Sequence, residues 1–276
     1  MQLSKFFQEL LVVIVLYKKK TEQSAAYTSI QTTLNILPSF PEIFIYDNSP
    51  EPAMPTPPHI AYVHDSGNSG VSKAYNEAMA FATKKNLKWA FFLDQDTKVE
   101  PFLFSKFLEA IARHPGSVAF VPSMKDRKGP VSPFLFHSGR GKRIKHVRTI
   151  FPLEKFRFIN SGLLIQRSAF IEAGGYDEKI PLDFSDISFG ERLRKATDHF
   201  ILIDAALEHA FSPSETLPLI EAQQRFHFYC TGALAMGETT GKVPLYLLRA
   251  FLHASHLSLN YKSLRFIKIF LQHAYG

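Results

Sequence analysis

From residue 10 to residue 122 the chain repeats one device, a short and largely apolar run followed by a longer amphipathic stretch. The runs are LLVVIVLY (10–17), EIFIYD (42–47), HIAYVH (59–64), LKWAFFLD (87–94) and SVAFVP (117–122). Alternate side chains of a strand point to opposite faces. A run that stays apolar at successive positions must therefore be covered on both sides, as in a buried parallel sheet. Helical stretches at 21–37, 69–85 and 101–113 lie between the runs. Pro38 ends the first, and Ser69 or Ser72 can cap the second. The proline-rich SPEPAMPTPPH at 49–59 is loop. Such alternation predicts an α/β fold, with a mostly parallel central sheet and flanking helices.

The second half changes character. A loop-rich basic segment at about 123–155 leads to the strand-like FRFINSGLLIQ, a short helix ending at Gly174-Gly175, a helix at 184–197 and a strand at 199–204 (HFILID). From Leu217 onward the pattern is helical and aromatic, with breaks expected at Gly241 and Pro244. We divide the chain into a catalytic-type α/β unit, residues 1–215, and a helical C-terminal extension, residues 216–276. That extension should cover the sheet or lie on a membrane surface.

The formal net charge of +7 favours anionic partners. RGKRIKHVR (140–148) is one basic cluster, and residues 239–276 contain lysine and arginine but no acid. A nucleic-acid module would need a helix-turn-helix or an aromatic sheet motif, and neither is present. A dinucleotide-dependent dehydrogenase would carry GxGxxG after the first strand, and a nucleotidyltransferase a glycine-rich basic loop; YKKKTEQS supplies lysines without glycine. The single cysteine, Cys230, excludes an internal disulfide and a cysteine-rich metal site, which suits a cytoplasmic setting. Leu10–Tyr17 is too short to span a bilayer and lacks a signal-cleavage pattern.

Ligands of parallel sheets gather at the carboxyl ends of the strands. Polar residues stand at four such ends: Tyr17-Lys18, Asp47-Asn48-Ser49, Asp65 to Ser69, and Asp94 to Thr97. In FFLDQDTKV an apolar run stops at two carboxylates, Asp94 and Asp96, which an extended strand would point the same way. Like charges so placed suit a divalent cation or a solvated turn in which Asp96 or Thr97 caps the next helix.

These segments, taken in order, resemble the inverting glycosyltransferases of family 2, with the GT-A fold, and among them the rhamnosyltransferase-like group. The resemblance rests on VVIVLY, IYDNS, NSGVSKAYNEAMAFA, FFLDQDT, FINSGLLI, GGYDEKIPLDFSDISFGERLR and LIDAALEHA, and spans roughly residues 11–210. It implies that Tyr17, Asp47, Asn68, Gly70, Asn76, Asp94 and Asp96 face a nucleotide-sugar donor. It also implies that Asp96 contacts Mg²⁺ or Mn²⁺, with His209 as a further ligand. Asp186 then corresponds to the base that takes the acceptor proton, and Asn160, Ser161, Gly162, Asp183 and Arg192 lie on the acceptor side. On a helix Asp183 and Asp186 would share a face. Lys18 stands where the family more often has asparagine, and Ser188 replaces an acid, so a non-catalytic, nucleotide-sugar-binding member is an alternative.

The function so implied is metal-dependent transfer of a sugar to a saccharide or lipid-linked saccharide in surface polysaccharide synthesis. dTDP-rhamnose is the first donor and a UDP-hexose the second. The apolar and basic tail suits peripheral contact with the inner membrane face.

Overall fold

The computed structural model describes residues 2–35, 40–53, 60–126, 129–137, 139–144, 148–209 and 217–275, with 208 and 209 described through their backbone alone. It opens on a helix absent from the sequence reading, α1 (Leu3–Gln8), which buries Phe6 and Phe7. β1 (Leu10–Leu16) follows, then a 3-10 turn (Thr21–Gln23) and α2 (Ala25–Leu34). The helix expected over 21–37 thus breaks at Ser24, whose hydroxyl accepts the Tyr27 N–H and caps α2; Pro38 lies outside the described residues. Next come β2 (Glu42–Asp47), β3 (Ala61–His64), α3 (Val71–Lys84), β4 (Trp89–Asp94), β5 (Thr97–Lys98), α4 (Leu103–Arg113) and β6 (Ala119–Asp126).

Strands β3, β2, β1 and β4 run parallel side by side, and β6 pairs parallel with β13 (His199–His209), which extends well past the expected end at 204. Between β4 and β6 lies the antiparallel β12 (Leu164–Gln166). FRFINSGLLIQ is therefore two strands, β11 (Phe156–Arg157) and β12, parted by a turn in which Gly162 has φ +92°. The basic segment expected as loop contains strands as well: β7 (Gly129–Ser132), β8 (Phe134–His137), β9 (Arg140–Arg143) and β10 (Ile150–Pro152). β9 is exposed throughout on the edge of a small sheet with β8 and β11, so its sequence carries charge instead of apolar alternation.

β1 is buried at every position because it feeds both faces. Leu11, Val13 and Val15 join one apolar cluster, with α3 and α5 (Arg167–Ala173). Leu10, Val12, Ile14 and Leu16 join the other, with α2 and α4. Each such side chain contributes about 2 kcal/mol on burial.

The tail forms α7 (Leu219–Thr240), α8 (Val243–Asn260) and α9 (Arg265–Tyr275). Gly241, at φ +65°, makes the first break as expected. Pro244 makes none, because it sits in the first turn of α8, where a missing N–H costs nothing. The three helices meet the α/β unit at more than one place, with Glu221 of α7 paired to Lys18 at the end of β1. Their core includes Ile180, with Phe184 and Ile187 packed against it, so they rest on the segment around α6 (Ser185–Leu193).

Candidate active site

The end of β4 is fastened to the end of β1 through Gln95. Its side-chain oxygen accepts the Tyr17 N–H at 2.9 Å, and its carbonyl accepts the Ser24 hydroxyl at 3.0 Å. Lys18, at φ +50°, donates its N–H to Ser49 on the neighbouring strand end at 2.7 Å. Three strand ends are thereby set against one another before any ligand arrives.

β4 stops at Asp94, so the two carboxylates are not on one extended strand; Gln95 and Asp96 form a turn. Neither Asp96 nor Thr97 caps a helix, since Thr97 lies in β5 and α4 begins after Phe102. The Asp94 N–H donates to Ser161 Oγ at 2.8 Å, and the buried Tyr75 hydroxyl donates to its carboxylate at 3.2 Å. Asp96 is paired with Lys19, Nζ to Oδ1 at 2.6 Å. A lysine ammonium thus sits on the carboxylate that the resemblance assigns to a divalent cation.

Asp47 is fully buried. Its oxygens accept the Ser49 N–H at 2.9 Å, the Ala53 N–H at 2.8 Å and the Tyr62 hydroxyl at 2.6 Å. Burial alone would raise its pKa, but those bonds outweigh it and hold the carboxyl below the usual range. This carboxylate ties down the loop after β2.

Asn68 adopts φ +50° in the turn before α3. Neither serine caps that helix: Gly70 is its N-cap, and the Ser72 hydroxyl, inside the first turn, donates to the Ile180 carbonyl. A Cβ on Gly70 would lie 2.2 Å from the Pro181 carbonyl oxygen, which also accepts the Val71 N–H at 2.7 Å. Asn76 donates to the Tyr176 carbonyl at 3.0 Å and to Glu178 at 2.8 Å, and accepts the Tyr176 N–H at 2.9 Å. The start of α3 is therefore the anchor for residues 176–181, the segment leading to Asp183 and Asp186.

A chain of bonds then joins α6 to the sheet. The Tyr176 hydroxyl donates to Asn160 at 2.8 Å, and Asn160 donates to Ser185 at 3.1 Å. Ser161 bonds Thr97 at 2.7 Å as well as the Asp94 N–H, and Gly162 packs where a Cβ would meet Leu207 at 2.9 Å. Asp186 lies in the first turn of α6, its Oδ1 accepting the Ile187 N–H at 2.8 Å. Burial pushes its pKa up to about 6, and the charges of Asp183 and Asp94 add to the rise. The carboxylate at the end of β4 and the one on α6 are thus close enough to feel each other.

Asp183 precedes α6, set off from it by the left-handed Phe184, so the two acids share no helix face although their charges still interact. Asp183 pairs with Arg225 of α7 at 3.2 Å instead. It borders a cavity of about 220 Å³ lined also by Phe226, Tyr229, His253 and Tyr261. Arg192 reaches neither acid; its guanidinium donates to the Gly174 carbonyl at 2.6 Å. His209 has its backbone opposite Thr97 in the β13–β5 ladder, and its side chain lies outside the described residues. Sequence reasoning passed over Lys19, Gln95, Tyr75, Tyr176 and Arg225. A buried aromatic reads as core and a surface charge as solvated, and only the third dimension puts them beside a carboxylate.

Among the described residues no three His, Cys, Asp or Glu side chains gather into a cage for a metal. Asp94 and Asp96 nonetheless supply hard oxygen donors at one strand end. Mg²⁺ needs only one or two protein carboxylates when substrate phosphates and water complete its shell, so the donor set fits such an ion.

Residues 12–173 match the family model described as glycosyl transferase family 2. No curated protein matches the chain. Among solved structures, the TarS protein of S. aureus is similar at 13% identity and TM-score 0.51, over 82% of this chain and 40% of the TarS chain. The 1–349 portion of TarS in complex with UDP-GlcNAc is similar at 12% identity and TM-score 0.55, over 96% of this chain and 79% of that one. The match thus covers 40% of that TarS chain, and at such identity the likeness is one of fold.

Proposed function

The chain belongs to glycosyl transferase family 2, and on that premise we propose that its cleft moves a sugar from a nucleoside diphosphate donor to a saccharide hydroxyl, with inversion at the anomeric carbon. The observation that carries the reading is the placement of Asp186 in the first turn of α6, where burial pushes its pKa up to about 6 and the charges of Asp183 and, more weakly, Asp94 reach it. A carboxylate so tuned is mostly ionised at neutral pH yet basic enough to take a proton in the transition state. Asp186 accepts the proton of the acceptor hydroxyl as that oxygen bonds to the anomeric carbon. The nucleoside diphosphate leaves from the opposite face with the bonding electron pair.

Asp96 and Asp94 would hold Mg²⁺ or Mn²⁺ together with diphosphate oxygens. When bound, the ion neutralises charge on the leaving group. Lys19 must leave Asp96 for that to happen, and its ammonium is then free to meet a phosphate. The acceptor, a saccharide or lipid-linked saccharide, reaches Asp186 along the Asp183–Arg225 side, where aromatic rings and a charged pair border the cavity. Leu93–Thr97 favours dTDP-rhamnose as donor; the UDP-GlcNAc bound by TarS supports a UDP-hexose as the second choice.

Calorimetric titration with dTDP and with UDP, each with and without Mn²⁺, tests the reading. Metal-dependent binding that disappears in Asp96→Ala is the expected result, and the tighter nucleotide selects the donor class. Binding of neither nucleotide under any condition would overturn the proposal.

A further inference from the structure

Helices α8 and α9 carry an apolar face that the fold leaves open. On α8, Leu248, Leu252 and Leu259 recur at helical spacing and are all exposed, Leu259 at 78%. Leu264 (79%), at the start of the next helix, is followed on α9 by Leu271 and Tyr275 at the same spacing. The Phe251 and Phe270 rings, 5.6 Å apart, join the two stripes into one patch. Isolated exposed leucines are ordinary, whereas a contiguous patch of this kind marks an interaction surface.

The charges around the patch identify what covers it. Lys262, Arg265 and Lys268 are exposed beside Leu264 and Leu271, and residues 239–276 contain no aspartate or glutamate. A second copy brought face to face would set these cations against their own counterparts with no acid from these helices between them. An anionic lipid surface supplies the missing charge. Leucine and tyrosine enter the headgroup boundary while lysine and arginine stems lie along it with their charges outward. No described helix is long and apolar enough to cross a membrane, so such a contact lies in the surface.

We propose that the α8–α9 face docks this protein on an anionic membrane surface. The inference stands on the helical extension and is independent of the transfer reaction. α7 joins the extension to the segment before α6: Gly232 lies so close that a Cβ there would come within 2.5 Å of the Asp183 carbonyl oxygen.

The test uses the full chain with vesicles of phosphatidylcholine alone and of phosphatidylcholine mixed with phosphatidylglycerol. Co-sedimentation with the anionic vesicles only, weakened by salt, is expected. The triple variant Lys262→Glu, Arg265→Glu, Lys268→Glu should bind more weakly by roughly fivefold or more for each cation removed. These side chains are exposed, so a circular-dichroism melt should match the parent's. Because Cys230 is buried and its thiol is pushed up to about 12, an environment-sensitive dye can be placed selectively. On a Leu271→Cys variant it should shift to the blue with anionic vesicles, and on Lys84→Cys, on α3, it should not. Equal sedimentation with both vesicle types, or a triple variant that binds like the parent, would refute the proposal. So would self-association of the parent abolished by Leu264→Glu, which would make the face an interface between copies.

Discussion

Replacing Asp186 by asparagine separates what this side chain does for stability from what it does for chemistry. Burial lifts its pKa from the ordinary 3.8 to about 6. At about 1.4 kcal/mol for each pH unit, ionising it costs the folded chain about 3 kcal/mol more than the unfolded chain. The sign follows from proton binding. Between these two values the folded state holds a proton that the unfolded state has lost, so the stabilising contribution is complete below 3.8 and disappears as pH rises through about 6. Asn carries no charge to desolvate, and its side-chain oxygen can still accept the Ile187 N–H that Asp186 accepts at 2.8 Å. Asp186→Asn should therefore be more stable than the parent at pH 8, by up to about 3 kcal/mol, with the gain vanishing toward pH 4. Urea denaturation at a series of pH values, followed by circular dichroism, measures the difference directly. Sugar transfer by the same variant should fall at least a hundredfold, on the order expected when a general base is lost. A stability difference that is flat with pH would show that the carboxylate is not held in a desolvated position, and the argument for its tuned basicity would fail with it.

Gly70→Ala should destabilise the chain by about 2 kcal/mol or more, because the new Cβ meets the Pro181 carbonyl at a left-handed position; a thermal melt measures it, and transfer should fall as the 176–186 segment shifts. Asp47→Ala leaves the buried Ser49 N–H and the Tyr62 hydroxyl without their acceptor and the Ala53 N–H with the Tyr62 oxygen alone, a loss of about 2–4 kcal/mol. The carboxyl's folded pKa is depressed, so its contribution is present above 3.8 and is lost as pH falls below that value, which acid denaturation of parent and variant will show. Lys19→Ala uncovers Asp96, and Mn²⁺ titrated without nucleotide should bind the variant more tightly than the parent. Unchanged Mn²⁺ affinity would mean that the lysine does not compete for that carboxylate.

Strands β1, β2 and β4 were legible in the sequence because burial on both faces writes an unbroken apolar run, and β1 is buried at every position from Leu10 to Leu16. The polar strand ends were legible for the complementary reason, since charge appears abruptly where the sheet stops. β9 was not, because an exposed edge strand is selected for solubility and its basic residues look like loop. Helix α1 was too short to show a period.

For the site, sequence alone identified the residue types and a serial order for them. Tertiary structure decided their partners. Gly70 and Asn76 could be placed at the start of a helix from sequence, but not against Pro181 and Tyr176, a hundred or more residues away. Asp183 and Asp186 were close in sequence, and the left-handed Phe184 between them lets Asp183 pair with Arg225 of α7 while Asp186 sits in the first turn of α6, within reach of the Asp183 and Asp94 charges. Local patterning is fixed by which side chains tolerate water, and a single chain states that directly. The pKa of a carboxylate depends on how much water is excluded and which charges lie nearby, and those are set only when distant segments pack.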